Sequence, residues 1–186
     1  MLDDQMHQSA YLALKARKYD LARKQYSELA TAGSPTAWTS LGWMYEHAAG
    51  VPRNASEAEQ CYSKAMALGH LPATFYLARL LVEEKEYPRA FALFSAAADS
   101  GHVPSMYWLG RLYLTGRGID KDVSKAEHFF RKAMDKGHIF ARRDYHRCCL
   151  GGVFGSRRVS GIFGWISAVI VGSRVAVSDP NSELLQ

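Results

Sequence analysis

A glycine that recurs at nearly constant spacing is the feature that most restricts how this 186-residue chain can fold. Gly33, Gly69, Gly101 and Gly137 are separated by 36, 32 and 36 residues. A period of this length corresponds to one small supersecondary unit, which buries its apolar face only against neighbouring copies. The chain is therefore predicted to be an array of stacked units.

Other residue types recur in phase with these glycines. Alanine lies eleven residues before each glycine and an aromatic residue lies seven before, while leucine and then a small residue follow the first three glycines at eight and nine residues. These columns are Ala22, Ala58, Ala90 and Ala126; Tyr26, Tyr62, Phe94 and Phe130; Leu41, Leu77 and Leu109; and Gly42, Ala78 and Gly110. Small residues let two helix backbones approach closely, and leucines and aromatic residues at this spacing form one apolar stripe per helix. The columns predict one helical hairpin per repeat.

Glycine and proline positions predict where the helices end and begin. The recurring glycines fit the position just after a helix, where a positive φ favours glycine, and Pro72 and Pro104 fit the first turn of the next helix. Loop extensions at 50–54 and 118–122 account for the longer repeats, while the middle repeat turns tightly at 86–88. The predicted helices are 3–17, 20–32, 35–48, 55–68, 71–85, 87–100, 103–115, 123–136 and 138–149.

The repeated motif resembles a known family. Residues 109–119, LGRLYLTGRGI, with the columns that follow them up to Gly137, closely resemble the Sel1-like repeat, and residues 41–69 match almost as well. Residues 69–100 resemble a shortened copy nearer the tetratricopeptide form, and 3–32 resemble an N-terminal capping copy. The resemblance implies an all-α fold, an α-solenoid of antiparallel helix pairs with a concave face, acting as a non-catalytic interaction platform.

The resemblance also gives a domain division. The solenoid is assigned to residues 1–147, with the capping copy at 3–32, repeats at 33–68, 69–100 and 101–136, and a final helix at 137–147. Residues 148–186 form an apolar, arginine-flanked segment and tail.

A partner-binding groove is predicted by analogy with tetratricopeptide repeats. The positions two before and two after the recurring leucine, on the first helix of each hairpin, are expected to face the groove. They are Thr39, Trp43, Phe75, Arg79, Tyr107 and Arg111, with His7 and Tyr11 from the capping copy. Aromatic residues and arginine are enriched at interface hot spots, and arginine can hold a carboxylate with two hydrogen bonds. The predicted partner is a protein or peptide; the alternative is that these side chains pack against neighbouring helices.

Histidine and cysteine positions favour structural roles. His70, His102 and His138 occupy one phase of successive repeats, separated by two helix diameters of about 8–10 Å each. Zinc holds its ligands at about 2.0–2.3 Å, so the three cannot share an ion, and a helix-terminal role is predicted instead. Cys148 and Cys149 are predicted to be buried thiols, with acylation as the alternative. No metal or cofactor is predicted.

Two other functional classes find little support in the sequence. The chain carries no glycine-rich phosphate loop, His-Glu-x-x-His helix or Gly-x-Ser-x-Gly elbow, so an enzyme with a site in the groove is the weakest hypothesis. Residues 1–136 carry a net charge of +2, too little for a nucleic-acid partner. The first residues are acidic and no apolar export signal follows them, which predicts a cytoplasmic location.

The C-terminal part differs in composition from the repeats. Residues 137–174 carry six arginines and one acid, and 159–173 carry no charge. Fifteen residues of helix span about 22 Å, against about 30 Å of bilayer hydrocarbon. The segment 148–177 is predicted to span a membrane, to lie in one leaflet, or to cap the solenoid, and these alternatives stay open. The predicted membrane-association residues are Arg157, Arg158, Ile162, Phe163, Trp165, Ile166, Val169, Ile170, Val171 and Arg174.

Together these features predict a non-catalytic scaffold or adaptor, peripheral to or anchored at the cytoplasmic face of the inner membrane. The C-terminal segment also resembles the arginine-flanked apolar stretch and Asp-Pro tail of Sel1-like proteins from bacterial surface-polysaccharide clusters, which implies a role in cell-envelope or polysaccharide assembly. The alternative is a soluble regulatory adaptor whose apolar segment caps the solenoid or docks a partner.

Overall fold

The computed structural model describes residues 2–154 of the chain, and all regular structure in that range is helical. The predicted all-α fold is confirmed, and the helices begin and end within about two residues of their predicted positions. They are α1 (Leu2–Lys15), α2 (Tyr19–Thr31), α3 (Pro35–Glu46), α4 (Ala55–Ala67), α5 (Leu71–Glu83), α6 (Tyr87–Asp99), α7 (Val103–Thr115), α8 (Val123–Asp135) and α9 (Ile139–Leu150).

Local capping sets these helix boundaries. Asn54 Oδ1 accepts a hydrogen bond from the backbone N–H of Glu57 at 3.1 Å, and Asp122 Oδ1 accepts one from the N–H of Lys125 at 2.9 Å. Each bond satisfies a backbone donor that has no partner within its own helix. After α4, Gly69 has a φ of 81°, in the left-handed region that favours glycine and ends a helix.

The small-residue and aromatic columns are the two sides of one contact within a hairpin. A Cβ placed on Gly42 of α3 would lie 2.6 Å from Cε1 of Tyr62 on α4. A Cβ on Gly110 of α7 would lie 3.0 Å from Cδ1 of Phe130 on α8. Both rings are completely buried. At these two positions the aromatic ring of the second helix lies directly against the backbone of the first, which favours glycine there.

The helices fall into two compact units, and the boundary in the sequence lies between Glu84 and Lys85. The first unit contains α1 to α5 and the second contains α6 to α9. The core of the first unit includes Tyr26, Leu29, Leu41, Met44, Tyr62 and Leu80; that of the second includes Phe94, Met106, Leu109, Phe130 and Cys149.

The end of α9 closes the core of the second unit. Phe154 is only 5% exposed, and its ring centroid lies 6.0 Å from that of Phe130 and 5.6 Å from that of Tyr145. As predicted, Cys148 and Cys149 are buried, and burial raises the pKa of the Cys148 thiol to about 11. Residues 148–154 were predicted to belong to the C-terminal segment. They form instead the end of α9 and the turn that covers the core of the second unit.

The predicted membrane-association residues, from Arg157 to Arg174, lie outside the described residues. Among the helices that the structure does describe, none combines the length and the apolar character needed to cross a membrane.

Candidate functional site

The predicted groove residues lie on the first helices of the hairpins. Within the first unit, α1 carries Tyr11, α3 carries Thr39 and Trp43, and α5 carries Phe75 and Arg79. Within the second unit the first helices are α7, which carries Tyr107 and Arg111, and α9. The candidates therefore form two sets, one in each unit.

His7 and Thr39, which occupy the position two residues before the recurring leucine, link one first helix to the start of the next. Thr39 is buried, and its Oγ1 lies 2.8 Å from Nδ1 of His70, the residue preceding α5. Nε2 of His7 lies 2.9 Å from Oγ of Ser34, which caps α3. Burial lowers the pKa of His70, so the neutral ring is favoured in this contact.

The same position in α7 makes a comparable link within the second unit. The ring of Tyr107 stacks on His138 with centroids 4.8 Å apart, and its hydroxyl donates a hydrogen bond to Oδ2 of Asp144 at 2.8 Å. Nδ1 of His138 accepts from the backbone N–H of Ala141 at 3.1 Å, which requires a ring unprotonated at that nitrogen.

The environment of this histidine suits a neutral helix cap. Burial lowers the pKa of His138 to about 4, against the opposing effect of Asp144. Burial, together with the negative charge of Asp144, raises the pKa of Tyr107 to about 12. The predicted helix-terminal role of His138 is confirmed by its cap to α9, and His102 caps α7 in the same way. Across residues 2–154, no three histidine, cysteine or acidic side chains come together as metal ligands.

Arg79, two residues after its leucine, is held within the first unit by acids. Its Nη2 lies 3.4 Å from Oε1 of Glu46 and 4.0 Å from Oε1 of Glu83, and the side chain is 25% exposed. The Glu46 side chain is only 2% exposed and also accepts a hydrogen bond from the Tyr62 hydroxyl at 2.5 Å. Burial raises the pKa of Glu46, against the opposing effects of Tyr62 and Arg79. Arg79 therefore compensates a buried carboxyl group.

The aromatic candidates of the first unit are half-buried. Trp43 stacks on the exposed ring of His47 with centroids 4.5 Å apart, and Phe75 lies edge-on to Tyr76 at 5.7 Å. Nζ of Lys15 lies 5.6 Å from the ring centroid of Tyr11. Each of these aromatic side chains thus keeps part of its surface available to a partner.

Arg111 of α7 has a different environment from Arg79. Its guanidinium lies 4.6 Å from the ring centroid of Trp108 and 5.8 Å from that of Tyr107. It is exposed and makes no ion pair with any residue of the described range 2–154. Stacking on a ring leaves the in-plane N–H groups of a guanidinium available to a ligand.

Two arginines on α9, which the sequence analysis did not include in the groove, lie beside the same tyrosine contact. Nε of Arg143 lies 3.0 Å from Oδ1 of Asp144, and Nη2 of Arg147 lies 3.5 Å from the same oxygen. Their side chains remain 42% and 68% exposed. The repeat phase could have identified them, because they lie two residues before and two after Tyr145, which occupies the leucine column eight residues after Gly137.

Comparison with known proteins assigns the repeats. The family model of the Sel1 repeat matches residues 39–70, 73–102 and 103–138, which together make up more than half of the chain. The chain belongs to the Sel1 repeat family. Proteins of this family are protein-interaction scaffolds that typically bind protein partners, and the family is generally non-catalytic.

Solved structures show the same architecture. A Sel1 repeat protein from Oxalobacter formigenes is 24% identical with a TM-score of 0.74, over 90% of this chain and 68% of the other. The protective antigen c5321, from uropathogenic Escherichia coli strains, is 25% identical with a TM-score of 0.72, over 82% of this chain and 34% of its own length. MamA is 18% identical with a TM-score of 0.61, over 90% of this chain and 96% of the other. The present chain thus spans about a third of c5321, and these likenesses support the repeat-solenoid fold class.

Proposed function

We propose that this protein is a non-catalytic adaptor that binds a protein or peptide partner through the first helices of its hairpins. The observation that carries the proposal is a difference in burial between positions on those helices. Thr39 and Tyr107, each two residues before the leucine column, are buried in links between hairpins. Trp43 and Arg111, each two residues after it, retain accessible surface.

The chemistry of the accessible residues suits a protein interface. Tryptophan and arginine contribute disproportionately to the energy of such interfaces. Trp43 offers the surface of its ring, since its indole nitrogen is buried, whereas Arg111 offers hydrogen-bond donors. Trp43 is already stacked on His47, and Arg111 on Trp108, which limits the side-chain entropy that binding would cost.

Site-specific photocrosslinking tests this proposal. The photoreactive residue benzoylphenylalanine would replace Trp43 in the first unit and Arg111 in the second, and crosslinked partners would be identified by mass spectrometry. Matched controls carry it at Arg23 on α2 and Arg131 on α8, which are exposed on second helices. We expect one partner to be captured from the first-helix positions and not from the controls. Equal capture from all four positions would contradict the assignment of the binding surface.

We further propose that the C-terminal segment holds this adaptor at the cytoplasmic face of a membrane, in the service of a cell-envelope or surface-polysaccharide assembly. The support comes from the sequence: an uncharged stretch at 159–173, flanked by Arg157, Arg158 and Arg174. Arginines beside an apolar stretch favour the cytoplasmic surface of an anionic bilayer.

Fractionation of two chains tests the membrane proposal. A chain ending at Phe154 keeps the aromatic residue that covers the second unit's core, so it isolates the effect of the remaining segment. The full chain is expected to sediment with membranes and the shortened chain to remain in the supernatant. A full chain that stays in the supernatant without detergent would contradict membrane tethering.

The second candidate is a soluble adaptor whose C-terminal segment caps the repeats. It is favoured by the packing of Phe154 on Phe130 and Tyr145, because the chain that follows α9 begins by covering the core of the second unit. Under this alternative the chain ending at Phe154 would aggregate or melt at a lower temperature than the full chain, and the full chain would not sediment with membranes.

A further inference from the structure

The geometry points to an acidic peptide segment as the partner's contact with the second unit. We infer that Arg111, Arg143 and Arg147, here called the arginine face, bind carboxylate side chains of such a segment. This inference rests on the proposed function and adds to it the chemical class of the partner. Three observations support it: an arginine without an acidic partner among residues 2–154, two arginines that share one carboxylate, and the charge of the two helices that carry them.

The first observation emerges when successive repeats are compared. In the first unit, Arg79 is held by Glu46 and Glu83. In the next repeat, the positions equivalent to Glu46 and Glu83 are occupied by Val82 and Thr115, neither of which can neutralise an arginine. Arg111, the equivalent of Arg79 on α7, accordingly makes no ion pair with the described residues. Its guanidinium lies instead against the rings of Trp108 and Tyr107.

The second observation is the sharing of Asp144. This buried carboxylate receives the Tyr107 hydroxyl at Oδ2, and both Arg143 and Arg147 at Oδ1. One negative charge therefore faces two guanidinium groups, both with substantial exposure. A guanidinium carries five N–H donors, so each of these arginines has donors left for a second carboxylate. Asp144 fixes the position of the arginines and leaves an excess of positive charge.

The third observation is the charge balance of the two helices. The α7 segment contains one arginine and no acid, and the α9 segment contains three arginines and one acid. Helices α7 and α9 touch through Tyr107 and Asp144, so these charges lie on neighbouring first helices. Together the two helices carry a net charge of +3. Such a surface favours a ligand with several carboxylates, and electrostatic attraction would also accelerate its binding.

The arrangement favours an acidic peptide over an anionic bilayer. A guanidinium binds carboxylates and phosphates alike, but the rings of Trp108 and Phe140 beside Arg111 and Arg143 offer apolar contacts to neighbouring side chains of a peptide. The arginines follow the repeat phase of the first helices, the surface assigned above to protein partners. A bilayer would instead be drawn to any exposed basic residue of the unit.

Binding of a fluorescein-labelled, glutamate-rich peptide to the full chain, measured by fluorescence anisotropy, tests the inference. A glutamine-rich peptide of equal length is the ligand control. Arg111→Gln and Arg143→Gln remove donors from the arginine face, while Arg131→Gln, on the exposed surface of α8, makes the same change of charge elsewhere in the unit. Circular dichroism and thermal melts of each variant establish that the fold is retained.

We expect the glutamate-rich peptide to bind, and Arg111→Gln and Arg143→Gln each to weaken binding about tenfold or more, because each removes a charge-assisted contact. Arg131→Gln should change the affinity less than about twofold, and the glutamine-rich peptide should not bind. Added salt should weaken the binding of the glutamate-rich peptide.

Four results would overturn the inference. The first is no binding of the glutamate-rich peptide, and the second is an equal loss of affinity in Arg131→Gln and Arg111→Gln. The third is binding that appears only in a full chain carrying Asp179→Asn and Glu183→Gln, which would assign the arginine face to the chain's own acidic end. The fourth is arginine-dependent binding to phosphatidylserine–phosphatidylcholine vesicles without peptide binding. The proposed function fails separately, through the photocrosslinking result. A partner captured there that lacks an acidic segment would leave the adaptor function intact and remove this inference.

Discussion

Replacing Gly42 by alanine tests whether close contact between hairpin helices stabilises the repeats. The added Cβ would lie 2.6 Å from Cε1 and 2.7 Å from Cδ1 of Tyr62. That ring cannot turn aside freely, because it is fully buried and its hydroxyl donates to Glu46. The new methyl group must therefore push the two helices apart or break that hydrogen bond.

Two opposing effects set the magnitude. Alanine in place of glycine within a helix gains about 1 kcal/mol of helix propensity. Overpacking a close-packed core costs about 1–3 kcal/mol, and a fixed ring at this distance places the cost near the upper end. We expect Gly42→Ala to lower the free energy of unfolding by about 1–2 kcal/mol.

Urea denaturation followed by circular dichroism measures this change, with Gly110→Ala as the matched control. There the new Cβ would lie 3.0 Å from Cδ1 of Phe130, a ring without a hydroxyl group to fix it. The control should therefore change stability less than Gly42→Ala does. If Gly42→Ala were as stable as the original protein, or more stable, the close-contact explanation of the small-residue column would be refuted.

Three further predictions follow from buried groups. Tyr62→Phe should cost about 1–3 kcal/mol in urea denaturation, since it removes a donor from the buried Glu46 carboxyl group; an unchanged midpoint would contradict the importance of that bond. The pKa of His138 is lowered from 6.5 to about 4, so between these pH values the unfolded chain binds a proton that the folded protein does not. The contribution of the neutral His138 to the free energy of unfolding is therefore fully present above pH 6.5 and is lost as the pH falls toward 4. His138→Asn keeps a capping acceptor but does not titrate, so it should reduce the loss of unfolding free energy between pH 6.5 and 4 by on the order of 2 kcal/mol, a figure lowered to account for solvent screening. If the stability–pH curves of the two proteins run parallel, the histidine is not the source of that loss. Phe154→Ala should lower the free energy of unfolding, measured by a thermal or urea melt, by about 2–4 kcal/mol. An unchanged stability would show that this residue does not cover the core.

The helical hairpins were predictable because their determinants are local and repeated. A small residue nine positions after each glycine and an aromatic residue seven before the next glycine predict close helix contact, and Gly42 with Tyr62 confirms it. Helix ends were equally predictable, since capping residues such as Asn54 and Asp122 act within three residues of their partners.

The contacts of the candidate site were harder to predict, because they join side chains far apart in sequence. The repeat phase selects Arg79, but it does not show that Glu46, 33 residues earlier, holds it. Likewise the phase selects Tyr107, whereas its hydroxyl bond reaches Asp144, 37 residues later. Such pairings depend on how one hairpin lies against the next, which the periodicity of a single repeat does not encode.

Hydrogen–deuterium exchange of the protein with and without its captured partner tests most directly whether the first helices form the binding surface. The account predicts slower exchange on partner binding in the first helices, α1, α3, α5, α7 and α9, with the second helices α2, α4, α6 and α8 little changed. Slower exchange centred on α2, α4, α6 and α8 instead would contradict it.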